Sequence, residues 1–373
     1  MADKELENEI RDCVMDCLIH GAHAPSFDGE NEALFLQVTE EMEVQPVLYA
    51  GLLEKNQESL WPASVVKRFK EANRSRFVGF ELRAQEIERV LTLLQKSGVD
   101  CLLLKGIPFS FTIYRRPHHR TSSDTDILIN AAFLPLVSEK MLALGYEETP
   151  DLMFGTVSQQ KQFCRTGLGG MEHVFEFHVE ANNRHLLVPF GFEYFESRCD
   201  RVRIGKHSFR VPKIPEAFVL ASLHRVGHLE HDRRFLWFYD LLLLSKRMSD
   251  SDWSSVVSLA ETAACRAIVA SEIQELKRIV PGSIPQGASA WADAWYQNRS
   301  EASSYYLKEG RDRRKDLLVG IRSLPTVKLR VKALLLFVFP RPDYMRAQFD
   351  DSRSLPLLSL YLKRWLKIFG NRD

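Results

Sequence analysis

The chain is poor in the features that would assign it to a specialised class at sight. Its six cysteines (Cys13, Cys17, Cys101, Cys164, Cys199 and Cys265) contain no Cys-x-x-Cys pair, which excludes zinc-ribbon and thioredoxin-like spacings. A chain of 373 residues buries a core without disulfide staples, so reduced thiols in the cytoplasm are the expectation. Long apolar runs are missing too: the longest, Ala333 to Pro340, is far short of the ~20 residues that cross a bilayer. No membrane span is expected, and the acidic start Met1-Ala2-Asp3-Lys4-Glu5 lacks the apolar core of a signal peptide. Net charge is almost absent, with 50 Lys+Arg against 49 Asp+Glu, which excludes a uniformly basic coat for nucleic acid and an acidic disordered tail. The neutral total hides a division. Residues 1–64 carry 14 acidic and 3 basic side chains, a balance of −11, whereas 305–373 carry 16 basic and 7 acidic, a balance of +9.

What is present predicts an α+β protein: a small mixed β-sheet core over 75–212, preceded by a helical segment over 1–74 and followed by a helical domain over 213–373. The first segment reads as short helices interrupted at Gly21 to Ser26, Pro46 and Pro62. A long helix from about Val65 to Ser97 is predicted by Phe80, Ile87, Val90, Leu91 and Leu94 at helical spacing, with Gly98 as its stop. The apolar run Cys101 to Leu104 is too short for a helix and reads as a buried strand. Asp124 to Ile129 and His173 to Val179 are predicted strands, with Asn130 capping a helix that runs to Gly145. Val202 to Val211, broken by Gly205-Lys206, reads as a hairpin. Beyond Glu216 the signals are helical to the end.

Strand parity gives the middle stretch its chemistry. Residues two apart share a face, so Asp124 and Asp126 project together, as do Glu176 and His178. Like charges side by side are costly to bury without a cation between them. If the two strands are neighbours, three carboxylates converge, and an all-oxygen cluster of that kind suits Mg²⁺ sharing phosphate oxygens. Upstream, Leu104-Lys105-Gly106-Ile107-Pro108 carries a strand into a helix through a glycine beside a cation, a setting for a phosphate. Arg120 stands four residues before Asp124 and could serve the same anion.

This order of motifs resembles the polymerase-β-like nucleotidyltransferase superfamily and, more narrowly, a bacterial nucleotidyltransferase family within it. The matching residues are Leu103-Leu104-Lys105-Gly106, Tyr114, Arg120, Asp124-Thr125-Asp126-Ile127-Leu128 and Glu176-Phe177-His178, with further similarity at Leu223-His224, Trp237 to Leu241, Phe339-Pro340 and Tyr361 to Arg364. The resemblance implies Mg²⁺, with Mn²⁺ as its substitute, on Asp124, Asp126 and Glu176 as catalytic and metal-binding residues. It implies a nucleoside triphosphate positioned by Lys105, Gly106 and Arg120, and transfer of its nucleoside monophosphate to an acceptor hydroxyl with release of pyrophosphate. The acceptor is left open between a small molecule, an RNA end and a protein hydroxyl. Two positions depart from the pattern: the superfamily usually has Gly-Ser or Gly-Gly where this chain has Lys105-Gly106-Ile107, and Glu176 stands where the narrower family more often has Asp.

Other features admit competing readings. His178, His224 and His228 are candidates for the acceptor pocket. His224, His228 and His231 lie three and four apart on one helical face, and His231-Asp232 mimics the dipeptide of His-Asp metal phosphohydrolases, a third functional class. A second class is a non-catalytic nucleotide- or partner-binding module, antitoxin-like or scaffolding, on the same fold. Tyr114 and Trp237 are expected in the core. So is the stripe Leu355, Leu357, Leu358, Leu360, Tyr361, Leu362, Trp365, Leu366 and Ile368, read as closing a core with Lys363, Arg364 and Lys367 outside, in preference to touching an anionic membrane.

Overall fold

Apolar side chains three and four apart organise the first helices. The computed structural model describes residues 2–21, 29–182, 186–227, 235–297, 300–308, 310–349 and 355–369. It opens with α1 (Ala2–Ile19), α2 (Gly29–Glu41), α3 (Gln45–Glu54) and α4 (Ala63–Lys96). α4 buries Val65 and Phe69 near its start and Ile87, Val90, Leu91 and Leu94 near its end. It stops where Gly98 takes φ +77°, a left-handed conformation that glycine adopts without steric penalty.

The middle stretch then runs β1 (Cys101–Leu103), α5 (Ile107–Thr112), β2 (Asp124–Ile129), α6 (Leu134–Ala143), β3 (Glu147–Thr149), β4 (Gln160–Thr166), β5 (Glu172–His178), α7 (Phe192–Phe195), β6 (Cys199–Ile204) and β7 (His207–Pro212). Asn130 caps a single 3₁₀ turn ahead of α6, its side chain accepting from the Ala132 amide at 2.9 Å. The expected hairpin is β6–β7, joined by Gly205-Lys206 with Gly205 at φ +58°. All seven strands form one sheet in the order β3-β4-β5-β2-β1-β7-β6. β2–β5 and β1–β7 are parallel and the other four pairs antiparallel. The α+β class stands, with a sheet larger than expected by β3 and β4.

Alternation along the strands sorts the cores. Ile127, Ile129, Phe163, Phe175 and Phe177 face α4 and α6 on one side. On the other, Leu102, Leu104 and Leu128 join the helices α8 (Ile214–Gly227), α9 (Phe235–Ser245), α10 (Asp250–Thr262), α11 (Arg266–Ile279) and α12 (Gln286–Gln297). That second core also takes Val14, Phe35 and Phe69 from the N-terminal helices, so helical segments far apart in sequence share one apolar interior. The chain ends with α13 (Arg313–Ser323), α14 (Val327–Val338), α15 (Pro342–Gln348) and α16 (Leu357–Phe369). A small separate cluster of Met153, Ile321, Leu324 and Ala333 seats α13 and α14 on the loop after β3. Among the described residues no helix is long and apolar enough to cross a membrane.

Candidate active site

The parallel register of β2 and β5 sets Asp126 beside Glu176 and Leu128 beside His178. Ligand atoms of Asp126, Glu176 and His178 all fall within 4.8 Å of one another. His178 Nε2 lies 2.9 Å from Asp126 Oδ1 and 3.6 Å from Glu176 Oε2. β1, antiparallel to β2, ends where Lys105 turns its Nζ to 2.8 Å from the same Asp126 Oδ1. From β4, Gln160 Nε2 donates to Glu176 Oε2 at 3.4 Å.

Charge explains the pairing. Asp126 is 2% exposed; burial alone would raise its pKa, but the Lys105 charge and the hydrogen bond and charge of His178 hold it well below the usual carboxylate range. Burial works against the Lys105 ammonium as well, yet Asp126, Asp124 and Glu176 together keep its pKa above the ordinary lysine value. Glu176 moves the other way: burial first, and then the like charge of Asp126, push it upward. A cation between the two carboxylates would relieve that repulsion.

Asp124 opens the same strand and is half-buried. Its Oδ1 accepts from Ser122 Oγ at 3.2 Å, and it is not a member of the 4.8 Å group. Gly106 sits where φ is +68° and ψ −88°, and a Cβ there would come within 2.7 Å of Ser122 Oγ. Glycine is therefore what allows the Lys105 turn and the Ser122–Asp124 loop to close on each other. The following helix α5 has six residues, fewer than two turns, so its dipole offers less to an anion than the sequence suggested.

Arg120 departs from expectation. It is 5% exposed, and its Nε and Nη2 grip the Asp240 carboxylate at 2.8–3.0 Å. Tyr114 Oη donates to Asp240 Oδ1 at 2.7 Å, and the remaining Arg120 amino group reaches the Thr121 carbonyl. A guanidinium taken up in this way fastens the 117–121 segment to α9, and Arg120 also lines a cavity at Ser122. Asp240 keeps it firmly protonated against the opposing effect of burial. His224 is not in the Asp126 group; it is half-buried, and its ring packs edge-on to Trp237 at 4.8 Å. Tyr114 and Trp237 are buried. His228, His231 and Asp232 lie outside the described residues.

The sequence reading missed a cationic wall. Beside the Ser122–Asp124 loop is a cavity of about 530 Å³. α4 supplies Arg68, Ala72, Ser75, Arg76, Gly79 and Arg83 to it, a single helical face at three- and four-residue spacing. The small members make the room, and a Cβ built on Gly79 meets nothing within 4 Å. The arginines make it positive, tempered by Glu40 and Glu71. Arg83 Nη1 donates to the Ser123 carbonyl at 2.7 Å; burial weighs against its charge and Asp124 and Glu172 support it. Opposite, Thr121 Oγ1 is buried without a hydrogen-bond partner, and such an atom marks a place for a water or a ligand. The signal was legible in the arginine spacing, but the sequence does not say which face of α4 meets a cavity.

Residues 28–277 match the model of a family described as uncharacterised nucleotidyltransferase. Among solved structures, the crystal structure of an antigenic nucleotidyltransferase-like protein from Paracoccidioides brasiliensis aligns at 14% identity and TM-score 0.31, covering 52% of this chain and 92% of that one. No curated protein matches. With about two thirds of its length matched by the family model, the chain belongs to the uncharacterised nucleotidyltransferase family.

Proposed function

We propose that the protein transfers a nucleoside monophosphate from a nucleoside triphosphate to an acceptor hydroxyl at the Asp126–Glu176 centre. The observation that supports this best is the convergence of a buried and a half-buried carboxylate, Asp126 and Glu176, from adjacent parallel strands, with an arginine-lined cavity at Ser122 nearby along the same chain segment. The donor set fits a hard divalent cation: two carboxylates in reach, Asp124 on the same strand, and one imidazole nitrogen that Mn²⁺ tolerates better than Mg²⁺. Such a cation, held by Asp126 and Glu176 with Asp124, would neutralise charge on the triphosphate and polarise the reacting phosphoryl group.

The chain's own residues do the rest. Arg83 and Arg76 draw the triphosphate against α4, and Lys105 holds Asp126 in place while supplying positive charge beside the transferred group. The acceptor oxygen attacks the α-phosphorus, the bond from that phosphorus to the α–β bridging oxygen breaks, pyrophosphate leaves, and the hydroxyl proton passes to solvent. A cytoplasmic setting, where nucleoside triphosphates are plentiful and thiols stay reduced, goes with this reading.

The test is pyrophosphate release from labelled nucleoside triphosphates across a panel of sugar, RNA-end and protein acceptors. Asp124→Ala combined with Asp126→Ala is expected to lose at least about a hundredfold in rate, the equivalent of a few kcal/mol of lost charge stabilisation. Identical turnover in both proteins would defeat the assignment. The Lys105 ammonium on Asp126 favours one alternative, a non-catalytic nucleotide-binding module in which the ammonium replaces the cation; it predicts nucleotide binding indifferent to Mg²⁺.

A further inference from the structure

Nine of the seventeen large apolar side chains that stand exposed among the described residues lie at or beyond Leu318, a small part of the chain. They are arranged. On α16, Leu358, Leu362 and Leu366 follow one another at four-residue spacing, and on α14, Val327, Val331, Leu334 and Leu335 do the same at three and four. All seven are between 45% and 70% exposed or, for Val327, 72%. The opposite face of α16 is already spoken for: Leu360 is buried, Trp365 Nε1 donates to the Val338 carbonyl at 2.8 Å, and Arg364 Nη2 to the Phe337 carbonyl at 3.2 Å. Phe339, also exposed, packs against the Tyr361 and Trp365 rings. The outward leucines are thus a second apolar face, not the core-closing stripe that the sequence suggested.

Beside these stripes stand lysines. Lys363 and Lys367 on α16, and Lys328 and Lys332 on α14, are exposed, and neither helix contains an acidic residue. We infer that α14 and α16 form a docking face for an anionic lipid surface, lying in the plane of the headgroups with the leucine and valine stripes inserted and the lysines on the phosphates. Exposed apolar rows fringed by Lys are what such interfacial helices require, and the +9 balance of 305–373 complements a negative leaflet. A second copy of the chain is disfavoured by the same fringe. A two-fold pairing sets a patch against itself, and here that would bring lysines against lysines. The inference stands on exposure and charge, independently of the nucleotide site.

The experiment is co-sedimentation of the full chain with vesicles of phosphatidylcholine alone and of phosphatidylcholine mixed with phosphatidylglycerol, at low and high salt. Binding to the mixed vesicles is expected to exceed binding to the neutral ones at least about tenfold and to fall with salt. Leu358→Ser, Leu362→Ser and Leu366→Ser combined, and separately Lys363→Glu with Lys367→Glu, are each expected to reduce it about tenfold or more. Circular dichroism should show both variants folded, because every substituted side chain is exposed. Equal binding to both vesicle types, binding unmoved by either variant, or no binding would overturn the inference. So would light scattering that shows a dimer dissociated by the leucine substitutions, or binding of RNA in place of the mixed vesicles.

Discussion

Lys105 and His178 approach the same oxygen of Asp126, at 2.8 and 2.9 Å, so that one buried carboxylate is held between two nitrogen groups. Removing the ammonium while leaving the carboxylate buried should be severe. Lys105→Met is expected to lower stability by about 3 kcal/mol in chelator, since breaking a buried pair leaves an uncompensated charge. Added Mg²⁺ should then raise the melting temperature of the variant more than that of the parent, because the cation takes over the missing charge; an equal response in the two proteins would contradict a cation site at Asp126. Arg83 makes a different claim. If it binds the triphosphate without touching the chemistry, Arg83→Ala should raise KM for the nucleotide about tenfold with kcat nearly unchanged, and Arg83→Lys should recover part of it. A fall in kcat at constant KM would place Arg83 in the transition state instead.

At the scale of elements, the Lys105 turn and the 117–121 segment are fixed by contacts that no local pattern announces. Gly106 occupies a backbone conformation close to the rare γ-turn with Ser122 against it. Gly106→Ala is therefore expected to cost about 1–3 kcal/mol, measurable by urea unfolding. Arg120→Met should cost about 3–5 kcal/mol with no nucleotide present, because it strands Asp240 in the core. An Arg120 variant as stable as the parent would return that residue to phosphate binding. The strands that carry the acids were legible because Asp124–Ile129 and Glu172–His178 alternate between a polar face and Ile or Phe in the core. β4 was not: Gln-Lys-Gln-Phe-Cys-Arg-Thr has one buried side chain, Phe163, and exists as a strand because all seven residues pair with β5. Arg120 and Asp240 are 120 residues apart, beyond any window of periodicity. On α16 the leucines announce a helix, but two apolar faces share one sequence pattern, and only packing decides that Leu360 is inside and Leu362 outside.

For the whole molecule, the neutral total of charge resolves into regions with separate work. The acids of the sheet gather at Asp126 and Glu176, the arginines of α4 face a cavity that Ser122 also lines, and the lysines of α14 and α16 stand on the surface beside exposed leucines. Both helical segments contribute to one core against the same face of the sheet, and α4 passes from that shared interior, where Val65 and Phe69 pack, to the opposite face, where Ile87, Val90, Leu91 and Leu94 pack. The family match over 28–277 includes α4 and the sheet and ends before α12, which leaves the basic C-terminal helices outside it. The central claim is a nucleotide site that depends on a divalent cation and on Asp126. Isothermal titration of the four common nucleoside triphosphates, with Mg²⁺ and with chelator, into the parent and into folded Asp126→Asn tests it most directly. The account predicts that at least one triphosphate binds the parent with Mg²⁺ and weakens about tenfold or more both in chelator and in the variant. Affinity that is the same in all four conditions, or no binding of any triphosphate, would contradict it.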